Sequence, residues 1–219
     1  MRVLKFLKID CLKMKSLWIA LFFPLLSLFI LSTSDVPNLL FAAGYCLFAG
    51  IIYATFPFTG ENPQENGFLM MLPSKPGEDI LGHFLFGFLA VTVALFLGLF
   101  SIFVSGLINS NVRNTPLPTG FILVLYGAAV IFVGLEELLL TVFRYESIRA
   151  VQLIRIVPAF VYFFAANAVT DRLQAQQTPS FTGAGTLPGS VGAGFFAAAL
   201  AVYIIITMIA VRIVVKRDF

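Results

Sequence analysis

The sequence predicts an all-α integral membrane protein, with six transmembrane helices in a single domain covering residues 1–219 and an amphipathic helix ahead of them. Three observations predict it. Five apolar stretches of about 20 residues and one shorter stretch fill most of the 219-residue chain, and about 20 helical residues cross the ~30 Å hydrocarbon core of a bilayer. The chain is 59% apolar and 11% charged, where soluble domains carry roughly 25% charged residues. The polar shell that a soluble core of this size needs is therefore missing. Finally, all but two of the 14 Lys and Arg residues fall on one side of the spans.

Residues 1–15 read as an interfacial helix. Val3, Leu4, Leu7, Cys11 and Met14 share one face at 100° per residue, while Lys5, Lys8, Lys13 and Lys15 lie on the other. Phe6, Ile9 and Leu12 blur the boundary. Such a helix lies in the headgroup plane with its lysines toward anionic lipid. The first span, 16–32, has a basic flank like a signal peptide. No small-x-small cleavage site closes it, however, and five further spans follow, so it reads as a membrane helix, kinked or tilted at Pro24. The other spans are placed at 38–58, 80–108, 119–143, 150–169 and 191–215. The connection at 33–37 is tight, that at 109–118 holds two prolines, and 171–190, rich in Gly, Pro, Thr and Gln, reads as a loop.

Orientation follows from the basic residues. Arg2, Lys5, Lys8, Lys13, Lys15, Lys75, Arg144, Arg149, Arg155, Arg212, Lys216 and Arg217 fall on one side, and only Arg113 and Arg172 on the other. Both termini are expected in the cytoplasm.

The stretch between spans two and three carries the most information. A five-residue apolar run, Phe68-Leu69-Met70-Met71-Leu72, is too short to span. It sits between Glu65-Asn66-Gly67 and Pro73-Ser74-Lys75-Pro76, and an exposed run of this kind needs a membrane surface or a partner to cover it. Ser74 is the expected cap of the next helix, with Glu78 and Asp79 in its first turns, where the helix dipole favours anions.

This segment, followed by Asp79-Ile80-Leu81-Gly82 and an aromatic-rich span, resembles the type-2 membrane subunits of bacterial ATP-binding-cassette exporters. Those permeases commonly read Glu-Lys-Asn-Gly, several apolar residues, Leu-Pro-Val-Ser-Arg and Ile-Val here. A second stretch, Phe143-Arg144-Tyr145-Glu146-Ser147-Ile148-Arg149-Ala150, is similar to their Phe-Gly-Tyr-Glu-Lys-Ala-Arg turn between spans four and five. Pro76-Gly77 and Pro63-Gln64 depart from the family pattern. The resemblance implies that residues 65–73 form a short cytoplasmic coupling helix docking on a separate ATPase, with Arg144, Tyr145, Glu146 and Arg149 in a second cytoplasmic turn. It also implies a bacterial inner-membrane location and a second membrane subunit, a homodimer partner or close paralogue. The chain has no Gly-x-x-x-x-Gly-Lys-Ser/Thr phosphate loop, so ATP and Mg belong to the partner and the chain is not an enzyme by itself.

Glu136 and Glu137 stand in span four, where an intramembrane carboxylate is costly, roughly 2.5–3.5 kcal/mol for Asp at the centre of a helix. Two readings are open. One carboxylate lines a polar cavity or contacts a cationic substrate; alternatively both snorkel inward or pair with Arg144, Arg149 or Arg155. Successive side chains point about 100° apart, so the two cannot share one tight environment. A Glu-Glu pair on a membrane helix also resembles the intramembrane metalloproteases that process prenylated proteins. That family needs an Arg about four residues on and two histidines; here Arg144 is seven on and His83 is alone. No metal site is expected, and His83 reads as a polar residue at a helix start. Cys11 and Cys46 lack metal spacing and read as packing residues.

Small residues form faces in span two (Ala42, Ala43, Gly44, Ala49, Gly50, Ala54) and span six (Gly192, Gly194, Ala197 to Ala199). Such faces let helices approach closely, within the chain or across a dimer. No nucleic-acid motif is present. The expected function is the membrane half of an exporter for an amphipathic peptide or lipid-like substrate, since the spans are rich in Phe and aliphatic residues and no outer capture domain is visible. The alternative is a stand-alone six-helix channel or an assembly factor of a membrane complex.

Overall fold

Apolar runs punctuated by Pro, Gly and Asn form eight helices among the residues that the computed structural model describes, 3–13, 17–35, 38–55, 77–143, 148–175 and 187–217. They are α1 (Val3–Lys13), α2 (Leu17–Thr33), α3 (Leu39–Ala54), α4 (Glu78–Ile108), α5 (Ser110–Asn114), α6 (Thr119–Val142), α7 (Ile148–Ala175) and α8 (Gly189–Arg217). No strand occurs among the described residues. α4, α6 and α8 are each long and apolar enough to cross a bilayer. At 1.5 Å per residue the 31 residues of α4 run about 46 Å. Shorter apolar stretches lie at Phe22–Thr33, Leu39–Ala54 and Ile156–Val169.

Several boundaries differ from the sequence reading. The expected loop at 109–118 contains the short helix α5, capped by Asn109, whose side chain accepts from Asn111 N–H at 2.9 Å. α7 continues to Ala175, into the expected outer loop. The cap of α4 is Gly77, not Ser74. Gly77 has φ +94°, a left-handed conformation that only a residue without Cβ adopts cheaply. Glu78 and Asp79 do occupy the first turn.

Between helices in lipid there is little hydrophobic gain, so close packing and interhelical hydrogen bonds must hold the bundle. α3 and α6 are its centre. α3 lies against α2, α4, α6 and α7, and α6 lies against α3, α4, α7 and α8. The small-residue face of span two packs within the chain. A Cβ at Gly50 would stand 2.7 Å from Ala94 Cβ, and Gly98 receives Cys46. An aromatic group, Phe23, Tyr45, Phe48 and Phe163, joins α2, α3 and α7, with Phe48 and Phe163 centroids 5.1 Å apart.

α2 is strapped to α4 by a polar ladder at four-residue spacing. Ser101 donates to the Pro24 carbonyl at 3.0 Å, Ser105 to Leu28 at 3.4 Å, and Asn109 Nδ2 to Leu31 and Ser34 at 3.1 and 2.9 Å. Asn109 thereby satisfies carbonyls that the end of α2 leaves without intrahelical partners.

The α6–α8 contact is the most extensive and follows a heptad. Gly120, Gly127 and Gly134 of α6 receive, in order, Leu187 with Gly192, Phe195 with Ala199, and Tyr203 with Ile206. The small face of span six is thus divided. Gly192 and Ala199 are buried on α6, whereas Gly194, Ala197 and Ala198 are exposed. The outer surface carries many large apolar side chains, with Phe96, Phe100, Phe103, Leu107, Phe164, Ile205 and Met208 more than half exposed. Lipid tails are the solvent that makes such a surface stable.

α1 lies along the start of α4. Gly82 lets Phe6 approach so closely that a Cβ there would stand 2.7 Å from Phe6 Cβ. The face packed on the bundle carries Phe6 and Asp10, while Leu4 and Cys11 of the predicted apolar face are exposed.

Candidate functional site, a buried polar cluster

Burying an ionisable side chain is expensive unless something answers it. Asp10, His83, Glu136 and Glu137 are each at most 4% exposed, and Tyr203 is 6% exposed. They come from α1, α4, α6 and α8. The heptad spacing brings Tyr203 under Gly134, and one helical turn from Gly134 lies Glu137. The Tyr203 Oη sits 2.6 Å from the Phe84 carbonyl of α4 and 3.2 Å from Glu137 Oε2. Glu137 Oε1 lies against Gly87, with no hydrogen-bond partner among the described residues. A Cβ at position 87 would overlap that oxygen, so the glycine makes the space the carboxyl occupies.

The second half of the cluster is a histidine–carboxyl contact. His83 Nδ1 lies 2.7 Å from Asp10 Oδ2, both buried, and joins α1 to α4. Neither glutamate snorkels to the surface, since both are 0% exposed. Whether arginines answer them falls outside the described residues, which exclude Arg144 and the side chains of Arg149 and Arg155.

Residues 65–73, with Glu65, Asn66, Gly67, Phe68, Leu69, Met70, Met71, Leu72 and Pro73, also lie outside the described residues, as do Tyr145 and Glu146. Among the described residues, no group of three His, Cys, Asp or Glu is placed to hold a metal. Sequence reasoning found the glutamates but missed Asp10, His83 and Tyr203 as their neighbours. The available signal was a single acid in a lysine-rich helix and a single histidine opening an apolar one.

A helical bundle with membrane-length apolar helices, a lipid-compatible surface and buried charge confined to its interior defines an integral membrane protein. The sequence model of the ABC-2 family transporter proteins matches residues 5–215, nearly the whole chain, and the chain belongs to that family of membrane permeases. Neither a curated protein nor a solved structure matches it.

Proposed function

We propose that the chain is the membrane subunit of an ATP-driven exporter, working as a dimer with a separate ATPase. The observation that carries this reading is the family match over residues 5–215. Family membership also weighs against the stand-alone channel or assembly factor. In this reading α2, α3 and α7 cross the bilayer together with α4, α6 and α8, giving six spans with both termini in the cytoplasm; the segregation of twelve of the 14 basic residues supports it. α1 lies in the headgroup plane of the inner leaflet. Residues 65–73 dock on the ATPase, and Arg144, Tyr145, Glu146 and Arg149 form the neighbouring turn. The substrate is amphipathic, in keeping with the Phe-rich helices.

The test is purification of the tagged chain from its native membranes. An ATPase subunit should co-purify in a one-to-one ratio, and vesicles holding both should hydrolyse ATP. Phe68→Asp or Leu69→Asp should abolish that association while the chain still inserts. Normal assembly and ATP-dependent transport by both variants would remove residues 65–73 from the docking role, and absence of any co-purifying ATPase would overturn the reading itself.

A further inference from the structure

A tyrosine hydroxyl carries one hydrogen. Tyr203 Oη nevertheless has two oxygen neighbours, the Phe84 carbonyl at 2.6 Å and Glu137 Oε2 at 3.2 Å. The carbonyl cannot donate, so the short contact takes the tyrosine's hydrogen. The contact with Glu137 then joins two lone pairs unless the carboxyl brings a hydrogen of its own. The distances point the same way. A hydroxyl facing an ionised carboxylate makes a short bond, about 2.5–2.7 Å. Here the short bond goes to the neutral amide, and the carboxyl is the more distant partner.

We propose that Glu137 is a proton-binding site. In this arrangement of helices it is a neutral carboxylic acid; its Oε2–H donates to Tyr203 Oη, which donates to the Phe84 carbonyl. Oε1 is then the carbonyl oxygen of the acid, the atom that tolerates a dry position against Gly87 best. The chain of two bonds ties α6 to α8 and α8 to α4. Loss of the proton leaves a carboxylate that draws the one tyrosine hydrogen to itself, and the Phe84 carbonyl is released. α8 is then held to α6 alone at this point. The bound proton thus sets whether α8 is also tied to α4.

The charged and titratable surroundings fit a proton as the ligand. From α6 itself comes Glu136, and from α1 comes Asp10, both buried. α4 contributes His83, which is engaged with Asp10. α8 contributes Tyr203. α3 contains no Asp, Glu, His, Lys or Arg. α7 carries Arg149 and Arg155, whose side chains lie outside the described residues. The proposal does not depend on the transport reading, because it concerns the folded chain alone.

Infrared spectroscopy of the purified chain in lipid vesicles tests it. The carbonyl stretch of a protonated carboxylic acid should be present at neutral pH and shift in deuterium oxide. It should disappear in Glu137→Gln, persist in Glu136→Gln, and change frequency in Tyr203→Phe, where the acid loses its acceptor. No acid band at neutral pH, or a band that survives Glu137→Gln, overturns the proposal. Thermal unfolding across pH gives a second reading. A folded state that holds a proton the unfolded chain has released loses stability as pH rises. The wild type should therefore lose unfolding temperature with rising pH more steeply than Glu137→Gln, the neutral isostere. Equal slopes in the two proteins count against the site.

Discussion

The two ends of the α6–α8 seam share one repeat and differ in what the repeat is used for. At the Gly120 end, missing side chains admit backbone. Gly192 sits against the Gly120 main chain, and Phe195 and Ala199 fill the space at Gly127. At the Gly134 end, the same absence of Cβ admits the ring of Tyr203, whose hydroxyl continues to Phe84 and Glu137. Glycine every seven residues keeps one stripe facing the partner helix. The residue opposite each glycine decides whether the result is dry packing or a polar connection. The dry end depends on backbone positions that cannot rotate away, and the polar end depends on side chains that can.

The largest effect should therefore fall at the dry end. Gly120→Leu or Gly192→Leu places a Cβ against main-chain atoms, 2.9 Å from the Leu187 carbonyl carbon in the first case and 2.8 Å from Gly120 Cα in the second. Ordinary overpacking costs about 1–3 kcal/mol, and with no rotamer to relieve it the loss should exceed that range. Size-exclusion profiles and thermal unfolding of the purified variants measure it, and wild-type melting would show that the close approach is dispensable.

At the polar end, Asp10→Ala or His83→Ala leaves the other buried partner unanswered, which costs about 1–3 kcal/mol. The loss should appear as release of α1, read by protease cleavage near Lys8, before global unfolding. A double variant no worse than either single one would identify the pair as the source, and strict additivity would deny the coupling.

Tyr203→Phe should cost less, about 1 kcal/mol, because interhelical hydrogen bonds in membrane proteins are weak on average. Gly134→Ala should cost a similar amount, since its Cβ would meet the Tyr203 ring at 2.8 Å and the ring can shift. A Tyr203→Phe variant as damaged as Gly120→Leu would erase the distinction between the two ends.

Smaller still is an effect on chemistry at α1. Burial first, and the Asp10 carboxylate second, raise the Cys11 thiol above its ordinary value. The thiolate is the reactive form, so alkylation of Cys11 should accelerate as pH rises. Asp10→Asn removes the lesser cause and should speed the reaction modestly at fixed pH. A rate indifferent to that change would place Asp10 too far away to matter.

The smallest effect belongs to Gly194, whose added Cβ would meet nothing within 4 Å. Gly194→Ala should change monomer stability by no more than about 0.5 kcal/mol. A variant that stays folded yet loses self-association in cross-linking would assign this exposed face to the dimer that the proposed function requires.

Apolar length and Pro, Gly and Asn punctuation made the helices legible within a few residues. They did so because an apolar run in lipid must satisfy its own backbone hydrogen bonds, and the helix does this locally. Family resemblance was legible from Glu65 to Lys75 and from Phe143 to Ala150, although those segments lie largely outside the described residues. The cap of α4 was misread because Ser74 has the better side chain, while Gly77 has the backbone freedom the turn uses. The glutamates were legible as costly, but their neighbours were not.

The sequence by itself determined that this chain lives in a membrane as a bundle of helices, which residues cannot face lipid without cost, and the family to which its motifs belong. Only the tertiary structure decided that Phe6 and Asp10 turn inward on α1, that Gly120, Gly127 and Gly134 face α8, that His83 meets Asp10, and that Tyr203 meets Glu137. The reason is geometric. Helix formation depends on contacts three and four residues apart, whereas Phe84 and Tyr203 are separated by 119 residues. In a chain that is apolar on nearly every side, no amphipathic stripe announces which face meets which, and that choice is made by the fit of small residues between whole helices.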